Sequence, residues 1–176
     1  MSEEKFRKAL CRKLKKELPS RYAVGENENL LYKLMIDGDG ELQPRNPKEP
    51  KRGQLAFQTD LLIKKGDLPL VVIETKIEGF TPHDVLTYSA KALKHKEVYP
   101  YLRYGLVVGD AEIIQNKFFV HNVGFYFALA IENTIKLQTF ISLAREQIRS
   151  SETLLKILRD KNTTKLFSTT VKAEYV

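Results

Sequence analysis

Tryptophan is absent from the 176 residues, and cysteine occurs once, as Cys11. One thiol cannot close an internal disulfide, so a disulfide-stapled scaffold is excluded. Cys11 has basic neighbours, lies on a helical pattern and has no nearby histidine; it reads as packing in a reducing cytoplasm. No run of 18 apolar residues occurs, which excludes a membrane helix of the ordinary hydrophobic kind. The opening MSEEKFRKAL is charged throughout and shows no secretory leader pattern. HExxH, CxxC, P-loop and GxGxxG patterns are all missing, so zinc-hydrolase, dithiol-redox and nucleotide-motor readings have no support. Repeats and low-complexity tracts are missing too.

What remains is a chain of single-domain length with 43% hydrophobic residues, enough to build one core without staples. One domain, 1–176, is expected, with a core over about 3–110 and a mainly helical extension over about 125–161. Lys plus Arg number 29 against 22 Asp plus Glu, a formal net charge of +7. The excess is clustered. Lys5, Arg7, Lys8, Arg12, Lys13, Lys15 and Lys16 crowd the first sixteen residues, and Arg45, Lys48, Lys51 and Arg52 the stretch from Pro44 to Gly53. Lys91, Lys94 and Lys96 form a third group. Clustered cations suit a polyanion, because each neutralised phosphate releases counterions.

Apolar spacing predicts an amphipathic helix over 3–17, stopped by Pro19. The segment 29–36 is too short to type, and Asp37-Gly-Asp-Gly marks a turn that lacks the remaining ligands of a calcium loop. Residues 41–54 read as a polar loop. AFQTDLLIKK and LVVIETKI read as two strands joined through Lys65–Pro69. Thr81 is placed to cap, and Pro82 to begin, a helix reaching about Lys96, with Val85, Leu86, Ser89, Ala92 and Leu93 as its buried stripe. YGLVVG is a short buried strand, and strand–helix–strand implies a crossover onto the same sheet. KFFVHN is expected to add an edge strand. Ile135–Ile148 reads as a helix, and Ser151 as the cap of another. Gly79 and Gly105 read as turn glycines.

The chemistry sits in the hairpin. If its turn centres on Asp67, opposed residues have numbers summing to 134, so Asp60 faces Glu74 and Gln58 faces Lys76. Alternation puts Val72, Glu74 and Lys76 on one face. Two carboxylates opposed across a ladder among Leu61, Leu62, Val71 and Ile73 repel one another unless something offsets them. A divalent cation does so: Mg²⁺ takes oxygen ligands and is usually held by one or two carboxylates, waters and substrate phosphate. Asp60, Glu74 and the Thr75 backbone carbonyl are the candidate ligands. Lys76 is placed to orient or deprotonate an attacking water, or to steady developing negative charge.

Asp60, thirteen residues (61–73), then Glu74-Thr75-Lys76 resembles the signature of the PD-(D/E)xK nuclease superfamily, although Thr59 stands where the pattern has proline. The resemblance implies a restriction-endonuclease-like α/β fold: a mixed central sheet flanked by helices in α-β-β-β-α-β order, with part of 21–36 as the first strand. It implies hydrolysis of nucleic-acid phosphodiesters with Mg²⁺, or Mn²⁺ in its place, by Asp60, Glu74 and Lys76. Glu17 is the candidate accessory acid, with Glu4, Glu26 and Glu28 as alternatives. The expectation is a small bacterial type II restriction endonuclease acting on double-stranded DNA as a cytoplasmic homodimer, since twofold symmetry matches a palindromic site. A repair, recombination or transposition nuclease, a heteromeric nicking subunit and a non-catalytic binding module are the alternatives. Lys13, Lys16, Arg45, Lys51, Arg52, His83 and Lys91 are the candidate DNA contacts. Tyr88, Tyr99, Tyr101 and Tyr104 are read as packing the helix–strand junction.

Overall fold

Ser2 opens the first helix by accepting a hydrogen bond from the Lys5 N–H, and Phe6, Leu10 and Leu14 give α1 (Glu3–Glu17) its buried stripe. The computed structural model describes residues 1–132, 137–160, 166–169 and 171–173. After α1 come β1 (Ala23–Glu26), β2 (Asn29–Leu31), β3 (Met35–Ile36), β4 (Leu42–Gln43), β5 (Ala56–Gln58), β6 (Leu61–Lys65) and β7 (Leu68–Ile77). Then follow α2 (Pro82–Val98), β8 (Arg103–Gly109), α3 (Asn116–His121), β9 (Phe127–Ile131) and α4 (Leu137–Asp160).

The architecture is α/β. Its central sheet has the order β1-β6-β7-β8-β9. The β1–β6 and β6–β7 pairs are antiparallel, whereas β7–β8 and β8–β9 are parallel, which makes the sheet mixed. Alternation along the strands divides the core. Leu61, Ile63, Val71, Ile73 and Val107 face α1 and α4, joining Phe6, Leu10, Phe140 and Ile141. Leu62, Val72, Leu106 and Val108 face the other way, joining Val85 and Ala92 of α2 and Phe118 of α3. No helix among the described residues is long and apolar enough to cross a membrane.

The β6–β7 hairpin keeps the 134 sum from Leu61↔Ile73 to Ile63↔Val71, then shifts by one residue at a bulge, so the turn is Gly66-Asp67, with Gly66 at φ +58. The stretch read as one strand is two. β5 leaves the main sheet and pairs with β2, so Gln58 lies opposite Asn29 and not opposite Lys76. The backbone turns at Thr59-Asp60, where a neck is closed by two hydrogen bonds: Asn27 N–H to Asp60 O at 3.1 Å and Thr59 N–H to Glu28 O at 2.9 Å. Everything from 28 to 59 is thus an excursion between β1 and β6. It contains the β2–β5 ribbon and a small β3–β4 hairpin, so the polar loop holds a two-residue strand. Asp37 caps that hairpin's turn, accepting from the Asp39 and Glu41 N–H groups.

Several other expectations are corrected. Thr81 caps α2 and Pro82 begins it as foreseen, with Asp84 completing a capping box, but Leu86 (49% exposed) and Leu93 (42%) face solvent, and His95 completes the buried stripe. The true stripe of Val85, Ser89, Ala92 and His95 follows the helical 3.6-residue repeat. Residues 116–121 form α3 and not an edge strand; Phe118 is the buried anchor, and the other aromatic, Phe119, points outward. The edge beside β8 is filled by β9 instead. Residues 137–160 form one helix, with Ser151 buried in its interior instead of capping a second; Ile135 and residue 161 lie outside the described residues. Gly105 lies within β8, where any Cβ would stand 2.1 Å from the Phe127 ring; Gly79 lies in the connection from β7 to α2, at φ +154.

Candidate active site

Three strand residues and two helices build the site. Glu74 lies on β7 with Val72, hence on the α2 face, and is 1% exposed. Asp60 reaches it from the bend just before β6. Asp60 Oδ2 accepts from the Thr75 N–H at 2.7 Å and from Thr75 Oγ1 at 2.8 Å, which ties the bend at Asp60 to the next strand. A strand residue presents its N–H and C=O to the same neighbour, so the Thr75 carbonyl lies on the Asp60 side of β7.

Glu74 is held from the opposite strand. Tyr104, on β8, donates its hydroxyl to Glu74 Oε1 at 2.5 Å. Burial pushes the Glu74 carboxyl up to about 7, and the Asp60 charge adds to the rise; Tyr104 and Lys91 act against it. Burial drives the Tyr104 phenol well above its ordinary value, with Glu74 adding to the effect, so Tyr104 remains the donor. The sequence placed Tyr104 at a packing junction. It is fully buried there, and it also serves the acid.

Lys76 emerges two residues beyond Glu74 with its side chain 21% exposed, and its ammonium lies 3.7 Å from Glu3 of α1 and 3.7 Å from Asp84 of α2. Burial works to lower its pKa, but the Tyr88 hydroxyl, Glu3 and Asp84 outweigh burial and raise it. Lys76 is therefore a charged group here, which favours charge stabilisation over proton abstraction. Lys91 lies 5.0 Å from the centre of the Tyr88 ring and 5.8 Å from that of Phe57, and its charge acts on Glu74.

Arg7 of α1 completes the group. Its Nη1 is 4.0 Å from Asp60 Oδ1, and its Nε is 3.5 Å from Glu26 Oε2. Among the four upstream acids weighed, Glu26 is the one brought beside Asp60, through this arginine. Glu17 lies ten residues past Arg7 along α1, about 15 Å of helical rise, and pairs with Lys13 and Arg145. Glu4 pairs with Lys8 on the exposed side, and Glu28 with Lys64. Glu3, Arg7, Asp84 and Tyr88 were not singled out as site residues from the sequence. Their signal was Glu3 and Arg7 one turn apart on a helix line, which points nowhere until α1 is docked.

The remaining predicted contacts are spread out. Lys13 and Lys16 lie toward the far end of α1. Arg45, Lys51 and Arg52 are exposed on the excursion. His83 is exposed in the first turn of α2, 3.4 Å from Thr87 Oγ1 and one residue from Asp84.

Among the described residues no group of three or more His, Cys, Asp or Glu side chains could hold a metal. The donor set is two carboxylates and a backbone carbonyl. That set suits Mg²⁺, which keeps several waters and is seldom caged by protein alone. The buried Glu74, disfavoured as an anion beside Asp60, supplies the electrostatic reason for a cation. No protein-family model, curated protein or solved structure matches the chain.

Proposed function

We propose that the protein is a Mg²⁺-dependent endonuclease of restriction-endonuclease-like fold that hydrolyses phosphodiesters of double-stranded DNA. The observation that carries this reading is the convergence of Asp60 and Glu74 from adjacent strands, with Lys76 emerging beside them. The order α1-β1-β6-β7-α2-β8 supports it, being the order the resemblance implies.

Asp60, Glu74 and the Thr75 carbonyl would hold the cation, with Mn²⁺ as a substitute. A bound divalent cation supplies Lewis-acid polarisation of the scissile phosphate. The protein supplies the rest. Thr75 fixes the rotamer of Asp60, and Tyr104 that of Glu74. Lys76, steadied by Glu3, Asp84 and Tyr88, offers its ammonium to the negative charge that develops as the bond breaks. The exposed cations Arg45, Lys51 and Arg52 on the excursion and the half-buried Lys91 beside Tyr88 are the groups that would contact DNA phosphates. A small type II restriction endonuclease working as a cytoplasmic homodimer is the biology this reading favours.

The test is cleavage of plasmid and phage DNA in about 10 mM Mg²⁺ (a scale suited to a weakly held hard cation), wild type beside Asp60→Ala. Discrete fragments from the wild type alone are expected. Nicked circles or a smear would favour a nicking subunit or structure-selective repair nuclease. Salt-sensitive binding with no cutting, in Mn²⁺ and on RNA as well, would replace the enzyme with a binding module.

A further inference from the structure

Asp60 uses its two oxygens differently. Oδ2 is committed to the Thr75 N–H and hydroxyl. Oδ1 is turned toward Arg7 Nη1 at 4.0 Å, outside hydrogen-bond range but within ion-pair range. Arg7 is no better seated on its other side. Its Nε stands 3.5 Å from Glu26 Oε2, and both atoms are buried without a hydrogen-bond partner. A guanidinium normally forms short, paired hydrogen bonds with carboxylates. Here an arginine only 14% exposed is suspended between two carboxylates and satisfies neither. Leaving such donors and acceptors unmade in a buried place is costly. A group kept this way is poised to bond something else.

We propose that Arg7 is a built-in counter-ion that competes with the divalent cation for Asp60 and transfers to the phosphate of the bound nucleic acid. This rests on the nuclease reading above and adds to it a regulation of the same site. Without nucleic acid, Arg7 shares the Asp60 oxygen that a cation needs, and its positive charge repels that cation. The protein alone therefore holds Mg²⁺ weakly. A phosphate arriving at the site offers Arg7 a bidentate partner, which frees Asp60 Oδ1 and strengthens the hold on Mg²⁺. By linkage, Mg²⁺ strengthens the hold on DNA by the same factor. Arg7 is a positioning residue in the first state and a phosphate contact in the second.

Binding separates this from a structural role. Mg²⁺ is titrated calorimetrically into the DNA-free wild type, Arg7→Gln, Arg7→Lys and Asp60→Asn proteins, with folding checked by thermal melts. Arg7→Gln is expected to bind Mg²⁺ roughly two- to fivefold tighter than wild type, the range for a partly exposed ion pair. Arg7→Lys, which keeps the charge and remains the informative variant should Arg7→Gln fail to fold, is expected to stay near wild type. Asp60→Asn is expected to abolish the binding. A purely structural arginine predicts unchanged or weaker binding in Arg7→Gln, and that result overturns the proposal alone. Absence of any Asp60-dependent Mg²⁺ binding overturns the nuclease reading, and the proposal with it. In a Lys76→Ala background, used so that DNA stays uncut, Mg²⁺ is expected to tighten duplex binding. Arg7→Gln is expected to shrink that enhancement; an undiminished enhancement overturns the transfer to phosphate.

Discussion

The Tyr104 hydroxyl and the Glu74 carboxyl face each other across parallel strands, with 2.5 Å between donor and acceptor in a place closed to solvent. Tyr104→Phe keeps the ring and removes the donor. Hydrogen bonds to charged groups contribute about 1.5–3 kcal/mol, so a loss of that order is expected by chemical denaturation at pH 8. The loss should be smaller at pH 5, where Glu74 is protonated. Equal losses at both values would mean that the hydroxyl serves packing and not the charge.

The Glu74 pKa sets a stability trend with a definite sign. Its folded value lies near 7, above the ordinary 4.5. Below pH 4.5 both folded and unfolded forms are protonated and nothing is lost. Between pH 4.5 and 7 the unfolded chain ionises first, so the metal-free protein loses stability as pH rises. At 1.36 kcal/mol per unit the full effect is on the order of 3 kcal/mol. Glu74→Gln is expected to flatten this part of the profile and to melt higher than wild type at pH 8 without metal. Mg²⁺ should raise the wild-type melting temperature and have little effect on the variant. Parallel pH profiles for the two proteins would contradict the assignment.

His95 gives the opposite slope. Burial, aided by Lys91, pulls its pKa down to about 4 from 6.5, against the pull of the Leu30 backbone. Its contribution is fully present above pH 6.5. It is lost as pH falls toward 4, because the unfolded chain then takes up the proton first. The loss is again on the order of 3 kcal/mol. The ring sits 5.8 Å from Phe57 and 5.7 Å from Tyr104. His95→Leu should keep that packing and lose less stability than wild type between pH 6.5 and 4. Steeper acid unfolding in His95→Leu would rule out the histidine as the source.

Gly105 tests the packing of the sheet's parallel half. A Cβ there would stand 2.1 Å from the Phe127 ring. Overpacking of this kind costs about 1–3 kcal/mol. Gly105→Ala should show a lowered denaturation midpoint, and Gly105→Ala with Phe127→Leu should recover part of it. No change in the single variant would mean that β9 yields freely.

Elements with strong local signals were legible in the chain. α1 carries its apolar repeat, α2 its Thr81 cap and Pro82, and the β6–β7 hairpin its two apolar runs about Gly66-Asp67. The adjacency of Asp60 and Glu74 followed from counting across that turn. Elements whose signal is tertiary were not legible. Phe127-Ala-Leu-Ala-Ile alternates with small residues and earns its place only by pairing with β8. Lys117-Phe-Phe-Val has strand-like composition, yet burying Phe118 against Phe80 and Phe125 makes it helical. Ser151 is a favoured cap residue read in isolation; the apolar face of α4 runs straight through it. The surroundings of Asp60 escaped for the same reason, since Arg7 and Glu26 meet it only once α1 and β1 are docked on β6.

The neck at Asn27–Asp60 and Glu28–Thr59 brings both ends of the 28–59 excursion to one point. Loop closure depends only weakly on length, about 0.6 kcal/mol for each doubling. The β2–β5 ribbon next to the neck packs into the core through Leu30 and sets Phe57 against His95, so the part that can be exchanged at low cost lies beyond the Tyr32 N–H to Leu55 O hydrogen bond. An arm of different size or surface, grafted between Tyr32 and Leu55, should leave Asp60 and Glu74 in place; under the nuclease proposal it would change which DNA is brought to them, so that sequence preference and chemistry could be engineered as separate traits.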